Sequence, residues 1–292
     1  MRPGLTSSLP KPRQLPLFRG WRKPRHRNTE RPARAVPAYP ASLADTLSPS
    51  QLRTWLDCQA RWWYRYALHL PDPPGADRVL GLAVHDVIAE NFRQKIETKQ
   101  DLTVAGVTAL FRQAWAVRAE EARWQAGDDL DDLGRLGETM VRLYVDKAAP
   151  RIELAAVEVP VSGAIAGVAV RGRIDLLDVD GRVIDLKTAK RAPNGVNSDY
   201  RAQIATYAQL CPAASGAARL DTLVKTKTLK LVEQSFAIGD SDRKQTTVLY
   251  PLAQEGMRSG LYLPNRNSFL CSQRHCPYWE RCQDEYGGEV KP

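Results

Sequence analysis

The sequence has few of the features that mark secreted or membrane proteins. Its 292 residues include only five cysteines, an odd number that is too small for a disulfide scaffold, so we expect a reducing, cytoplasmic environment. No run approaches 18 consecutive apolar residues, which argues against a transmembrane helix and a membrane partner. The N-terminal stretch lacks the apolar segment of a secretory signal, so we expect none. Hydrophobic residues make up 43% of the chain and charged residues 26%, as in ordinary folded domains.

The net charge of +9 is concentrated at the N-terminus. Residues 1–44 contain ten Lys or Arg, eight prolines and a single acidic residue, Glu30, whereas residues 45–292 contain 32 basic and 32 acidic residues. This composition predicts that residues 1–46 form a disordered basic tail rich in Pro and Arg. The tail could bind phosphates, act as a solubilising extension or serve as a mitochondrial transit peptide, although its prolines disfavour the amphipathic helix of a transit peptide.

Hydrophobic periodicity changes near Pro150, from helical spacing to short runs rich in Val and Ile. A Ser-Pro-Ser-Gln sequence at Ser48 predicts the start of the first helix. Helices are predicted at about 48–70, 79–97, 104–124, 130–147, 199–210 and 241–258, and strands at 154–161, 168–178, 182–188, 219–227 and 230–238. The remainder of the C-terminal region is predicted to be irregular. This order predicts an α/β protein with a helical insertion near its N-terminus.

Two short motifs carry candidate catalytic residues. Asp175 ends the sequence Gly-Arg-Ile-Asp, and Asp185 begins the sequence Asp-Leu-Lys that ends at Lys187. Two carboxylates on adjacent strands can hold a divalent metal ion, and a lysine two residues beyond the second lies on the same strand face. Two acids and a lysine suit metal-assisted hydrolysis of a phosphodiester, in which the metal activates water and the lysine stabilises developing charge.

The turn between these strands decides whether the two acids can meet. A two-residue turn at Asp180-Gly181 would send Asp175 and Asp185 to opposite faces of the sheet. A three-residue turn, residues 179–181, would place them directly opposite each other, with Gly181 in the left-handed conformation common at the end of such loops. Both turns are compatible with the sequence, and only the longer one gives the functional geometry.

An ordered set of further motifs resembles the RecB-like nucleases of the PD-(D/E)xK superfamily, over about residues 46–286. The chain is similar to the iron–sulfur members, including CRISPR-associated RecB-like exonucleases and the nuclease domain of AddB. The matching motifs are the opening 47–52 followed by Cys58 and the aromatic run 62–64, Gly81-x-x-x-His85, Asp175, Asp185-x-Lys187, Gln203-x-x-x-Tyr207, the strand segment 225–227 and Cys271-x4-Cys276-x5-Cys282.

The resemblance implies a restriction-endonuclease-like α/β core with a mixed sheet, an N-terminal helical insertion and a C-terminal iron–sulfur segment. It implies a nuclease domain over 47–286, followed by a C-terminal tail at 287–292. The implied catalytic residues are Asp175, Asp185 and Lys187. His85, Asp175, Asp185 and the Leu186 backbone carbonyl would bind Mg²⁺ or Mn²⁺, Gln203 and Tyr207 would contact DNA, and Glu158 could add a further carboxylate.

The cysteines are the second implied site. Cys58, Cys271, Cys276 and Cys282 match the family's ligands for a [4Fe-4S] cluster, which uses four thiolates. Structural zinc is the competing interpretation, since four cysteines also suit Zn²⁺, and the first spacing is two residues longer than the commoner family form. Cys211 is interpreted as an unrelated thiol, and His275 as a spare candidate ligand.

The resulting hypothesis is a metal-dependent DNA nuclease. We expect a single-strand or end-directed exonuclease in repair, recombination or CRISPR adaptation, with a protein partner in a larger complex as a further expectation. The sequence contains no phosphate-binding G-x-x-x-x-G-K-[ST] loop, so it has no built-in helicase motor of that type. The alternatives are an iron–sulfur DNA-binding scaffold or subunit without nuclease activity of its own, and a mitochondrial single-strand exonuclease.

Overall fold

A six-stranded mixed sheet forms the centre of the computed structural model, which describes residues 45–292. The predicted N-terminal tail, apart from its last two residues, lies outside this described part. The strands are β1 (Thr46–Leu47), β2 (Leu154–Ile165), β3 (Val168–Asp178), β4 (Val183–Ala189), β5 (Ala217–Val224) and β6 (Lys230–Ala237). The strand order is β1-β3-β4-β5-β6, and β2 pairs with β3. The mixed α/β core expected from the sequence is confirmed.

Strand β3 has a gap in its pairing. Antiparallel β2 pairs along the length of one edge of β3. On the other edge, parallel β1 pairs at Ala169 and Val170, and antiparallel β4 pairs at Leu176 and Leu177. Between these two contacts, the sheet opens along residues 171–175. The candidate catalytic residue Asp175 therefore lies where the backbone of β3 is not covered by a neighbouring strand on that edge.

Eight α-helices accompany the sheet in the described part of the chain. They are α1 (Pro49–Asp57), α2 (Gln59–Trp62), α3 (Ala76–Thr98), α4 (Val104–Glu120), α5 (Leu130–Lys147), α6 (Ser198–Leu210), α7 (Asp240–Arg258) and α8 (Trp279–Tyr286). Helix α6 connects the parallel strands β4 and β5, as such a crossover requires. No helix within residues 45–292 combines the length and apolarity needed to cross a bilayer.

The sheet lies between two layers of apolar side chains. Ile184 belongs to the cluster formed with α3, α4 and α5, whereas its neighbour Val183 belongs to the cluster formed with α6. A third cluster joins α1, α7 and the aromatic residues 62–64 to β1 and the start of β3. Helix α3 therefore approaches the sheet from the side opposite α6, and the two candidate catalytic motifs of the sheet lie between these two helices.

The N-terminal and C-terminal regions differ from the sequence-based prediction. The predicted long first helix is broken at Cys58, whose extended backbone ends α1 and precedes α2. Strand β1 and helix α8 were not predicted, because two residues and eight residues give too little periodicity to recognise. Beyond α8, Val290 is buried and the Lys291 carbonyl accepts a hydrogen bond from the Gln273 amide. The last residues therefore pack against the preceding segment.

The hairpin between β3 and β4 has the register that brings the two acids together. Leu176 pairs with Ile184 and Leu177 pairs with Val183, so the turn spans residues 179–181. Gly181 has a φ of +75°. A Cβ atom there would lie 2.4 Å from the Ala213 carbonyl oxygen, so a larger residue is excluded by space as well as by backbone conformation. The three-residue turn is confirmed.

A buried ion pair within β5 is joined to the helical layer by a tyrosine of α5. Arg219 donates two hydrogen bonds to Asp221, at 2.6 and 2.8 Å, and the Tyr144 hydroxyl of α5 donates to the same carboxylate at 2.8 Å. Removing Asp221 would leave the arginine charge and the tyrosine hydroxyl without this partner. Breaking a buried pair in this way costs more than removing an exposed one.

We therefore expect Asp221→Ala to lower the free energy of unfolding by about 3 kcal/mol, measured by urea denaturation. The matched control is Asp146→Ala on the exposed side of α5, which should change stability by less than about 0.5 kcal/mol. If the two substitutions lowered the free energy of unfolding equally, the buried network would contribute no more to stability than an exposed carboxylate.

Candidate active site

Asp175, Asp185 and Lys187 converge at the opening in the sheet. The Lys187 Nζ atom lies 2.5 Å from Asp185 Oδ2, and the Leu186 amide donates a 3.0 Å hydrogen bond to Asp175 Oδ2. Asp185 has only 1% of its side chain exposed, whereas Asp175 and Lys187 retain 27% and 21%. One carboxylate is thus held in the interior while the other two groups remain accessible from the surface.

His85 reaches the same place from α3. Its Nδ1 atom lies 3.6 Å from Asp175 Oδ2. This approach depends on Gly81, one turn earlier, because a Cβ atom there would lie 3.1 Å from the Thr188 hydroxyl oxygen of β4. The G-x-x-x-H spacing therefore has a packing explanation: the glycine lets the helix approach the strand, and the histidine four residues later is carried to the carboxylates.

The electrostatics of the site follow from burial and from the lysine. Burial raises the pKa of both Asp175 and Asp185, and the Lys187 charge opposes that shift. Burial also opposes the charge on Lys187, but the two carboxylates outweigh it and raise its pKa. Burial and the neighbouring Lys187 charge lower the pKa of His85 to about 4. His85 is therefore neutral near pH 7, which is the form that binds metals.

Helix α6 closes the site from the other side. Gln203 donates hydrogen bonds to Asp185 Oδ1 at 3.0 Å and to the Tyr207 hydroxyl at 3.1 Å. Tyr200, one turn earlier, lies under Lys187, with Nζ 5.3 Å from the ring centroid. Sequence analysis missed Tyr200, although its position three residues before Gln203 on one helix face was a usable signal.

Glu158 occupies an unusual position opposite Asp175. It interrupts the β2–β3 pairing with a φ of +50°, which is strained for a residue with a side chain. Its carboxylate forms ion pairs with Arg93 of α3 and with Arg173, the latter at 3.5 Å. With His85, Asp175 and Leu186, it lines a cavity of about 20 Å³. Glu158 is near the site, but its carboxylate is directed to arginines.

That cavity has room for about one water molecule or one ion. Within residues 45–292, no three His, Cys, Asp or Glu side chains are close enough together to hold one metal ion as they stand. At this site Lys187 contacts Asp185, and the Leu186 amide contacts Asp175. The neutral imidazole, two carboxylates and neighbouring carbonyl are nevertheless donors that suit Mn²⁺ or Mg²⁺.

The four predicted cluster ligands are brought together at a second place. Cys58, Cys271, Cys276 and Cys282 all line one pocket, although Cys58 is far from the others in sequence. All four are free thiols, and they too do not form a ready group for a single ion within the described residues. The spare candidate ligand His275 does not line this pocket, and its Nδ1 atom lies 2.8 Å from the Ser272 hydroxyl oxygen. Cys211, interpreted as an unrelated thiol, is buried at the end of α6 and also lies outside the pocket.

Hydrogen-bond donors face two of these sulfur atoms. The Asn265 amide donates to Cys58 Sγ at 3.5 Å, and Arg266 Nη1 donates to Cys271 Sγ at 3.8 Å. Burial raises the pKa of Cys276, and it raises the pKa of Cys282 to about 11. These thiols are therefore protonated near pH 7 unless a metal displaces the protons. N–H donors that face sulfur atoms are also the outer partners that tune thiolates when these bind a metal.

Comparison with known families assigns the class of the protein. The model of the PD-(D/E)XK nuclease superfamily matches residues 46–283, which include the two acidic motifs, the helix of His85 and all four pocket cysteines. The chain therefore belongs to the PD-(D/E)XK nuclease superfamily. Enzymes of this superfamily typically use Mg²⁺ or Mn²⁺.

One solved structure shares this fold. The crystal structure described as "Putative exonuclease" from Eubacterium rectale aligns with a TM-score of 0.55 and 11% identity, covering 87% of this chain and 98% of that chain. The crystal structure of SSO0001 aligns with a TM-score of 0.42 and 14% identity, covering 82% and 86%. At such identities the likeness to the first structure shows a shared fold. No curated protein matches the sequence.

Gly172 keeps Tyr207 in place beside the carboxylates. A Cβ atom on Gly172 would lie 2.6 Å from the Tyr207 ring, closer than packed atoms allow. We expect Gly172→Ala to lower the free energy of unfolding by about 1–3 kcal/mol, and to lose this effect in a Tyr207→Ala background. Urea denaturation of the four variants measures both values.

Gly195→Ala is the matched control, because that position has open space and an ordinary φ. It should be neutral. If Gly172→Ala lowered the free energy of unfolding equally with and without the Tyr207 ring, this account of the packing would be contradicted.

Proposed function

We propose that the protein is a divalent-metal-dependent DNA nuclease whose catalytic residues are Asp175, Asp185 and Lys187. The observation that carries the proposal is their convergence at the opening in the sheet, with the lysine on the buried carboxylate. The superfamily match supports a nuclease, and the site supports hydrolysis in particular, since it contains a charged lysine and a partly accessible carboxylate. A scaffold without activity would have no need for this arrangement.

Asp175, Asp185, neutral His85 and the Leu186 carbonyl would hold the Mg²⁺ or Mn²⁺ ion. The bound ion would polarise the scissile phosphate and lower the pKa of an attacking water. Lys187, kept charged by the carboxylates, stabilises negative charge on the phosphate. Gln203 orients Asp185 through its hydrogen bond, and together with Tyr207 it would contact the DNA.

We further propose that Cys58, Cys271, Cys276 and Cys282 bind a [4Fe-4S] cluster. In such a cluster each thiolate bonds its own iron atom, so the four sulfurs lie farther apart than the four ligands of one zinc ion. The support for this proposal is that all four cysteines line one pocket, with Cys58 brought to the other three from a distant part of the sequence. The cluster would join the break after α1 to the C-terminal segment.

Other expectations stay predictions. These are the single-strand or end-directed exonuclease mode, the role in repair, recombination or CRISPR adaptation, and the protein partner. The cytoplasmic location and the division into a tail at 1–46, a nuclease domain at 47–286 and a C-terminal tail at 287–292 have the same standing.

Catalysis is tested by substituting two of the proposed catalytic residues. Asp185→Asn and Lys187→Met should each lower the cleavage rate of end-labelled DNA in Mn²⁺ by at least about 10²-fold, because one loses a metal ligand and the other the positive charge. DNA affinity should be retained. Asp180→Asn in the hairpin turn is the control and should cleave normally. Cleavage at the wild-type rate by either active-site variant would place the chemistry elsewhere.

The cluster is tested by colour and metal content. Anaerobically purified protein should be brown, absorb broadly near 400 nm and contain about four irons per chain. Cys58→Ser and Cys282→Ser should each bleach it, because three thiolates hold the cluster poorly. Cys211→Ser, the control, should remain brown. A colourless protein with one zinc ion would refute the cluster while leaving the nuclease proposal intact.

A further inference from the structure

A large groove adjoins the candidate active site. It has a volume of about 900 Å³, against about 20 Å³ for the cavity beside His85. One wall is α1, another is the segment 265–270, and the third contains Gly172, Arg173 and α6. Gln203 and Tyr207 belong both to this third wall and to the active site. An extended molecule in the groove would therefore contact two side chains of the candidate active site.

The segment 265–270 holds an exposed aromatic ring at the groove. Phe269 is 79% exposed, the largest value among the big hydrophobic side chains of residues 45–292. Its neighbour Ser268 is buried, donates a 2.8 Å hydrogen bond to Asp57 of α1 and accepts one from the Leu270 amide. The backbone that carries Phe269 is therefore ordered before binding. Less conformational entropy is lost when a planar group stacks on the ring.

The charge of the groove favours an anionic occupant. Four arginines and two aspartates line it, namely Arg53, Arg61, Arg78, Arg173, Asp57 and Asp199. The Arg53 guanidinium lies 3.7 Å from the Asp199 carboxylate, and the Arg173 guanidinium lies 3.5 Å from the Glu158 carboxylate. More than half of each arginine side chain is exposed. Such long, exposed pairs contribute little and leave the guanidinium groups free to bind phosphates.

A second observation points the same way. Arg61, Arg65 and Arg78 all approach the single carboxylate of Asp72, at 3.8, 2.8 and 3.8 Å. One carboxylate cannot neutralise three guanidinium groups. Two of these arginines, Arg61 and Arg78, also line the groove, which therefore carries positive charge that Asp72 does not neutralise.

We propose that this groove binds one unpaired DNA strand, with a base stacked on Phe269 and backbone phosphates bound by Arg53 and Arg78. This inference rests on the proposed nuclease function and names its substrate as a single strand. Stacking on an exposed ring requires a base with a free face, which a base inside a duplex does not have. Basic grooves with aromatic platforms are the usual means of binding single strands without sequence preference.

The test measures binding of fluorescein-labelled oligothymidylate by fluorescence anisotropy, in an Asp185→Asn background that prevents cleavage. Phe269→Ala should weaken binding roughly 5- to 150-fold, the range expected for one stacked base. Phe269→Tyr should bind normally, because the ring is retained. Leu263→Ala is the matched control, since Leu263 is 55% exposed on the same C-terminal segment but does not line the groove.

Abasic oligonucleotides separate stacking from a general loss of structure. The abasic position is moved along the strand from one oligonucleotide to the next. At one position of the abasic site, the Phe269→Ala variant should bind with the same affinity as the protein that retains Phe269. Arg53→Gln should reduce the slope of log affinity against log salt by about 0.7, the value for one phosphate of a single strand. The proposal would be overturned if Phe269→Ala lowered the affinity equally for every abasic oligonucleotide. It would also be overturned if Phe269→Ala bound with wild-type affinity.

Failure of the groove can be distinguished from failure of the nuclease proposal. Hydrolysis of bis(p-nitrophenyl) phosphate in Mn²⁺ needs the catalytic residues but not the groove. If the unsubstituted protein hydrolyses this ester while Phe269→Ala binds single strands normally, the groove proposal is wrong and the nuclease proposal stands. If it cleaves neither the ester nor DNA, the nuclease proposal fails, and the anisotropy data still decide whether Phe269 stacks on a base.

Discussion

The register of the β3–β4 hairpin is the constraint on which the active site depends. A turn of three residues places Asp185 level with Asp175 across the sheet, and a slip of one residue would move Asp185 and Lys187 together to the other face. Gly181 secures this turn through its positive φ and its close approach to the Ala213 carbonyl. A glycine outside the site thus determines whether the lysine and both carboxylates share one opening.

Close approaches permitted by glycine position the helices around that opening. Gly81 lets α3 approach β4, and Gly172 makes room for the Tyr207 ring of α6. The sheet's catalytic residues are therefore approached from both sides by side chains whose distances are set by packing. This explains why buried charges are tolerated here: Asp185 has both Lys187 and Gln203 as partners, so its burial is compensated by an opposite charge and a hydrogen bond.

Much of the fold could be predicted from the sequence, because its helices and strands are long enough to show periodicity and its turns contain glycine. The motifs located the residues that the structure brings together at the two sites. Strand β1, helix α8 and the break at Cys58 could not be predicted, since each depends on tertiary contacts rather than on local pattern. The exposure of Phe269 could not be predicted either, because a single aromatic residue in an irregular segment shows no recognisable sequence pattern.

The position of Cys58 has a mechanical consequence for the groove. Asp57, at the end of one wall, is followed directly by Cys58, and Leu270, at the end of another, is followed directly by Cys271. Both walls are thus anchored at the cysteine pocket, whereas the carboxylates are anchored in the sheet. If the groove binds the substrate as proposed, loosening of the cysteine pocket would change the width of the groove without moving the proposed catalytic groups. Oxidative damage there would then raise KM for long substrates before it lowered kcat.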